Sequence, residues 1–145
     1  MVDLQDVWAL AAKEKYLAVV STVRADGSVQ ASLVNSGPVP HPVTGADTVG
    51  FVTYGKVKLA NLRERPRIAL TFRSGWNWFT VEGTAEIIGP DDPADGIDDE
   101  RLRLLLREIF VGAGGQHDDW DTYDATMRQQ RRAAVLVTPE RVYSN

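Results

Sequence analysis

The sequence predicts a mainly β protein: a small antiparallel barrel of six or seven strands, with helices at its periphery. Three observations carry this reading. Alternating or β-branched runs recur along the 145 residues, and most neighbouring runs are joined by turn signals rather than crossover helices. One helical stretch is inserted mid-sheet and others lie near the ends. A parallel dinucleotide-binding layout would need strand–helix alternation and a G-x-G-x-x-G turn, and the sequence has neither.

The elements follow in order. Asp3 begins an Asp-x-x-Asp start before Leu4, Val7, Trp8 and Ala11, an i, i+3, i+4, i+7 stripe. That spacing predicts an amphipathic helix of about three turns with Trp8 in the core. Tyr16–Val23 is a β-branched run, Arg24-Ala25-Asp26-Gly27 a turn, and Ser28–Asn35 the returning strand. In that strand Val29, Ala31 and Leu33 alternate against Ser28, Gln30 and Ser32. Ser36–Thr48, with Pro38, Pro40, Pro42, Gly37 and Gly45, reads as a loop, and His41 within it as a solvated loop residue.

Val49–Tyr54 is the third strand, and a short basic helix follows it, stopped by Pro66. Arg67–Arg73 is a fourth strand. Ser74-Gly75 turns the chain into Trp76–Ile88, a long alternating strand expected to bend at Gly83. Gly89–Asp99 is an acidic linker loop. Glu100–Val111 sets Leu102, Leu105, Leu106 and Ile109 on one helical face, and Gly112-Ala113-Gly114-Gly115 breaks that helix. A further helix is expected over about 118–128. Ala133–Val137 closes the sheet and Arg141-Val142-Tyr143 extends it. No internal repeat or low-complexity segment is present.

Composition bounds the function classes. The length fits one domain, residues 1–145, and 43% hydrophobic with 25% charged content is ordinary for a globular chain. The absence of cysteine excludes disulfides, thiolate metal sites and cysteine nucleophiles. Met1–Asp6 has no cationic n-region or apolar run, and no stretch approaches a membrane span, so a cytoplasmic protein without a membrane partner is expected. A formal net charge of −4 argues against nucleic acid as a partner.

Against that acidic background, residues 55–67 carry five cations and one anion. Lys56 and Lys58 fall at the start of the basic helix, where the macrodipole is already positive. Lysines beside free backbone N–H groups make a phosphate site, and the stretch is read as the anchor of a phosphorylated ligand. Gly112–Gly115 follows a helix rather than a strand and is discounted as a phosphate loop. Two histidines, no cysteine and no G-x-S-x-G leave no hydrolytic triad. His117-Asp118-Asp119-Trp120-Asp121 is better read as helix capping than as a metal cluster. The acidic run of Asp91, Asp92, Asp95, Asp98, Asp99 and Glu100 lacks the order of a calcium loop, and no metal is expected. Within a strand Trp76 and Trp78 would share one face and Asn77 the other. One tryptophan fits core packing; the second fits core, a subunit interface, or a wall against a planar ligand.

Taken together, the hairpin, the strand, the Lys-x-Lys-x-x-Asn-Leu-Arg-x-x-Pro-Arg helix and the Gly-Trp-x-Trp strand resemble the split-barrel flavin-binding proteins related to pyridoxamine 5′-phosphate oxidase. The resemblance runs from about Leu17 to Tyr143. The tail from Gly115 to Met127, with its His-x-Asp-Trp-Asp-x-Tyr core, Arg131–Val137 and Arg141–Tyr143 are similar to the actinobacterial branch that uses the deazaflavin coenzyme F420.

The resemblance implies a set of roles. Lys58 binds the cofactor phosphate and Lys56 assists it, with Val57 between them on the same turn. Gln30, Ala31, Ser32, Leu33 and Val34 line the ring or ribityl chain, and Thr53 meets ribityl or phosphate oxygens. Trp76, Asn77 and Trp78 reach the site from the second subunit of a homodimer, with the cofactor at the interface. Asn61 is structural, bonding backbone at the helix turn; Arg63 and Arg67 serve an anionic tail or a solvated face. The implied activity is F420-dependent hydride transfer to a small electron-poor acceptor such as an enone or quinone. No catalytic acid or base is assigned, and water or a hydroxyl such as Tyr54 supplies the proton. F420 carries a lactyl-oligoglutamate tail, so cations beyond a phosphate pair favour it over FMN. An FMN-dependent oxidase or reductase of the same fold, and a non-catalytic cofactor carrier, are the alternatives.

Overall fold

A computed structural model describes residues 2–145. The chain begins with α1 (Leu4–Ala11), a 3-10 turn (Ala12–Glu14), and strands β1 (Leu17–Val23), β2 (Val29–Asn35), β3 (Gly37–Pro40) and β4 (Asp47–Thr53). Helix α2 (Lys56–Glu64) leads to β5 (Arg67–Ser74) and β6 (Asn77–Ile88). Helices α3 (Asp99–Gly112) and α4 (Trp120–Gln129) precede the last strand, β7 (Ala133–Tyr143). No helix among the described residues is long and apolar enough to cross a membrane.

The seven strands form one antiparallel sheet in the order β2-β1-β5-β6-β7-β4-β3. The sheet curls until β2 comes back against β4, but no ladder joins them. The barrel is therefore split along a seam between β2 and β4. Inside it, Val20, Phe51, Leu70, Phe72, Val81 and Val135 form a core with less than 1% of each side chain exposed. A second cluster lies outside the barrel, where Leu105, Leu106 and Ile109 of α3 and Tyr123 of α4 pack on Val39, Ile88 and Leu136.

Local chemistry accounts for the element ends. Asp3 accepts from the Asp6 N–H, and Asp6 accepts from the Asp3 N–H, each at 3.1 Å, closing a capping box. The buried face of α1 is Val7, Leu10 and Ala11, and Trp8 meets Phe72 edge-on at 5.6 Å. At the position where β6 was expected to bend, the β6–β7 register shifts between Glu82 and Gly83, with Glu140 of β7 as the extra residue. Arg141–Tyr143 extends the sheet as part of one continuous β7. Asp124 is buried between α3 and α4, accepting from Arg103 Nη1 at 2.9 Å and Arg107 Nε at 3.0 Å. Those guanidiniums hold its carboxyl below the usual range.

Two sequence expectations need correction here. Ser36–Thr48 is not wholly a loop, because Gly37–Pro40 is a strand paired with β4. Prolines are tolerated there because β3 is an edge strand, where a missing N–H costs no ladder bond. His41 is not a solvated loop residue. Its Nδ1 accepts from the Val43 and Thr44 N–H groups at 3.1 and 3.3 Å, so its proton is on Nε2, which donates to Glu86 at 2.8 Å. It ties the β3–β4 turn to β6.

Helix α3 covers β3 through an unusually close approach. A Cβ on Gly37 would sit 2.2 Å from the Gly112 carbonyl oxygen, and one on Gly112 would sit 2.3 Å from that of Pro38. Both clashing atoms are backbone, so neither can swing aside. Gly37→Ala should lower stability by about 1–3 kcal/mol, seen as a drop of several degrees in Tm by circular dichroism. An unchanged Tm would contradict this contact.

Candidate functional site

The site is built from the junction of β4 and α2. Gly55 is the N-cap of α2 and supplies no capping side chain, so the first-turn N–H groups are left for another partner. Gly55 N–H donates to Thr53 Oγ1 at 3.1 Å, which leaves the Thr53 hydroxyl proton free to donate. Positions 58, 61 and 62 share the inward face of α2 by helical spacing, and Lys58, Asn61 and Leu62 are all buried. Lys58 is 7% exposed, with its ammonium 5.7 Å from the centre of the Phe51 ring. Among the described residues no carboxylate lies within ion-pair reach of it. Burial holds its pKa below the ordinary 10.5.

This lysine opens onto a cavity of about 870 Å³ at the barrel seam, in the size range of small-molecule sites. Leu33, Val34 and Asn35 of β2 form one side, and Val52 and Thr53 of β4 the other. Ile109, Phe110 and Met127 give it an apolar wall, and Ala113–Gly115 complete that wall beyond α3. Three cations line it (Lys15, Lys58 and Arg132) and no aspartate or glutamate does. The Arg132 guanidinium lies 4.2 Å from the centre of the Tyr54 ring. Tyr123 donates to the Leu106 carbonyl at 3.0 Å, and burial pushes its pKa up to about 12, so it stays protonated. The site concentrates positive charge in an otherwise acidic chain.

Val34, Thr53 and Lys58, expected to bind the cofactor, all line this cavity. Gln30 and Ser32 share the inward face of β2 with Val34 but lie outside the lining. The Gln30 amide oxygen accepts from Thr22 Oγ1 at 3.1 Å, whereas the buried Ser32 hydroxyl has no partner. Lys56 and Val57 are exposed on the first turn of α2 and do not line the cavity. Trp76 does not share a strand face with Trp78: β6 starts at Asn77, and Trp76 stands 97% exposed in the preceding turn. Trp78 is half-buried against Tyr143, with ring centres 6.2 Å apart, and none of the residues 76–78 lines the cavity of its own chain.

The remaining residues of the basic stretch serve the scaffold. Asn61 is structural, but it donates to Thr22 Oγ1 at 3.0 Å rather than to backbone. Arg63 pairs with Asp92 and Arg67 with Glu140, so neither presents a free cation to a ligand. Arg65 Nε donates to the Val23 carbonyl at 2.8 Å. Sequence reasoning missed Lys15, Tyr16, Phe110 and Arg132. It also discounted the glycine-rich break, whose Ala113–Gly115 is cavity wall. The glycine run was one visible signal, and Arg132 lies within the Arg131–Val137 stretch that carries the resemblance; Lys15 carries no motif of its own.

The family model for pyridoxamine 5′-phosphate oxidase matches residues 5–145. The chain belongs to this family. Solved structures show the same fold. One is a putative 5-nitroimidazole antibiotic resistance protein from Bacteroides thetaiotaomicron (TM-score 0.69, 15% identity, 98% of this chain and 82% of that one). A second is an F420 reductase (TM-score 0.58, 17% identity, 89% and 90%). A third is a pyridoxamine 5′-phosphate oxidase-related, FMN-binding protein from Nostoc punctiforme (TM-score 0.63, 11% identity, 98% and 84%). As a member of the oxidase family, the chain has the split-barrel architecture expected from its sequence.

The residues present fit a phosphorylated, flavin-type group. The ammonium of the largely buried Lys58, without a counter-ion, and an uncapped helix start each lack a polar partner that such a ligand carries. An unpaired buried charge also costs stability. Because the pKa of Lys58 is depressed on folding, the native state holds fewer protons than the unfolded chain between the depressed value and 10.5. The penalty is therefore complete below the depressed value and fades as pH rises towards 10.5. Lys58→Met should raise the denaturant midpoint at pH 7, a gain that shrinks in alkaline buffer. Denaturant melts at pH 7 and pH 10 check it, and a less stable variant at pH 7 would show that the ammonium is compensated.

Proposed function

We propose that this protein is an F420-dependent reductase that acts on small electron-poor acceptors, such as enones or quinones, as a homodimer. The observation that carries the reading is the buried, carboxylate-free Lys58 at the uncapped start of α2, facing a cavity lined by cations alone among charged residues. Family membership and the likeness to an F420 reductase support it.

Lys58 would hold the phosphate, with the N–H groups of the α2 first turn and the Thr53 hydroxyl as further donors. Val34, Val52, Ile109 and Phe110 would pack against a planar ring and exclude water. The bound deazaflavin would supply a hydride to the electron-poor carbon, and the balancing proton would come from solvent. Tyr123 is committed to the Leu106 carbonyl and is not available as that donor.

Dimerisation is supported by the outer face of β1 and β2. Val19 is paired across the ladder with Leu33, and Val23 with Val29; Leu33 and Val29 are 63% and 60% exposed. A second copy on that face would cover this apolar stripe and bring a partner's Trp76–Trp78 hairpin within reach of the seam. FMN binding is the second reading. The ion pairs of Arg63 and Arg67 remove two cations that would otherwise have favoured an acidic tail.

Side-by-side fluorescence titrations with F420 and FMN test the cofactor, and F420 should bind more tightly. Lys58→Ala should weaken whichever binds by about 10- to 100-fold, the worth of a charge-assisted phosphate contact; equal affinity in the variant would refute the phosphate assignment. Sedimentation should give twice the 16.0 kDa chain mass, and Val19→Asp should return it to the monomer. A wild-type protein that sediments as a monomer would remove the homodimer from this proposal.

A further inference from the structure

Lys15, Tyr16 and Arg131 are the residues other than glycine that hold left-handed backbone among those described. Lys15 and Tyr16 are consecutive, at φ of 57° and 58°, and both line the cavity. A side chain disfavours that conformation, and two in a row persist only where their surroundings impose them. Here the surroundings are explicit. Tyr16 N–H donates to the Ala11 carbonyl at 2.9 Å, and Ser36 N–H to the Tyr16 carbonyl at 2.8 Å. Asn35 Nδ2 donates to the Lys15 carbonyl at 2.8 Å. The turn is thus clamped between the end of α1 and the end of β2, at the seam.

The clamp serves the side chains. A Cβ on Gly114, itself at φ +81°, would lie 2.9 Å from the Tyr16 ring, so the ring packs directly against the glycine break after α3. Lys15 has no carboxylate within ion-pair reach among the described residues. Its neighbour Glu14 accepts from Ser74 Oγ at 2.9 Å, at the end of β5. Glycine would have made this turn without strain; the chain instead keeps a cation and an aromatic there.

We propose that Lys15 is a second anion-binding group of the cavity, aimed by the strained Lys15–Tyr16 turn, and that it takes a carboxylate on a ligand. This rests on the reading above, in which Lys58 holds a phosphate. A ligand with one phosphate satisfies Lys58 alone; one that also carries a carboxylate satisfies both lysines. The carboxylate belongs either to the acidic tail of the cofactor or to an acidic acceptor.

Lys15→Asn tests this, because asparagine tolerates left-handed backbone and removes the cation without straining the turn. F420 with its glutamate tail should bind tenfold or more weakly to the variant, FMN within twofold of wild type, and Lys15→Arg should restore F420 affinity. If F420 affinity holds but KM rises tenfold for a carboxylated quinone and not for a neutral one, the carboxylate is the acceptor's and the proposal stands. Equal losses for FMN and F420, or no change with any probe, overturn it. If wild type binds neither cofactor, the cofactor reading fails separately. Lysine side-chain NMR with citrate then decides: shifts at both Lys15 and Lys58 support the second site, and a shift at Lys58 alone overturns it.

Discussion

The molecule depends on a sheet that curls like a barrel without closing. Every internal strand is paired on both sides, but β2 and β4 meet with no ladder between them. In a closed barrel β2 would bond the Phe51–Thr53 end of β4, which the short edge strand β3 leaves unpaired, and side chains would fill the interior. Here the unclosed seam leaves a gap of small-molecule size, bounded by β2, β4, the start of α2 and the end of α3. Ligand binding in such a fold needs no separate domain, because the defect in the ladder is itself the pocket.

Charge is distributed around that seam in two ways. Arg63, Arg65 and Arg67 lie on or just beyond α2 yet serve the scaffold, through Asp92, the Val23 carbonyl and Glu140. Lys15, Lys58 and Arg132 come from three separate elements and share the cavity without any lining carboxylate. The distinction is reach. Guanidiniums at positions 63 and 67 extend to acidic groups in the linker loop and on β7, while Lys58 is turned inward by the same helical face that buries Leu62. A local excess of cations in sequence therefore does not measure the cations offered to a ligand.

Much of the barrel was legible in the residues. The first hairpin and the α1 cap follow from alternation, turn chemistry and capping, all local signals. So did Lys58, because a lysine at a helix start is locally unfavourable without an anion. The edge strand Gly37–Pro40 was hidden because its prolines mimic a loop, and only its partner β4 and the cover of α3 make it a strand. Trp76 was misplaced by one residue at a strand start, enough to move it from a sheet face to a turn tip. Lys15 was invisible, and Arg132 went without a role inside the Arg131–Val137 stretch, because what qualifies them is distance in space to β2 and β4, which no spacing in the chain encodes.

Holding a buried ammonium in place requires a helix that cannot slide or rotate, and α2 is fixed by a short polar chain through the core. Asn61 Nδ2 donates to Thr22 Oγ1, which in turn donates to the Gln30 amide oxygen, at 3.0 and 3.1 Å. This links α2 to β1 and then to β2, the strand that borders the seam. Thr22 is fully buried, so each bond is made away from water, where losing a partner leaves an unsatisfied group. Asn61 is one turn beyond Lys58 on the same face of α2. Rotation of the helix that would expose the ammonium would also break Asn61 from Thr22. Gln30 thus braces, through Thr22 and Asn61, the helix that carries Lys58 to the cavity.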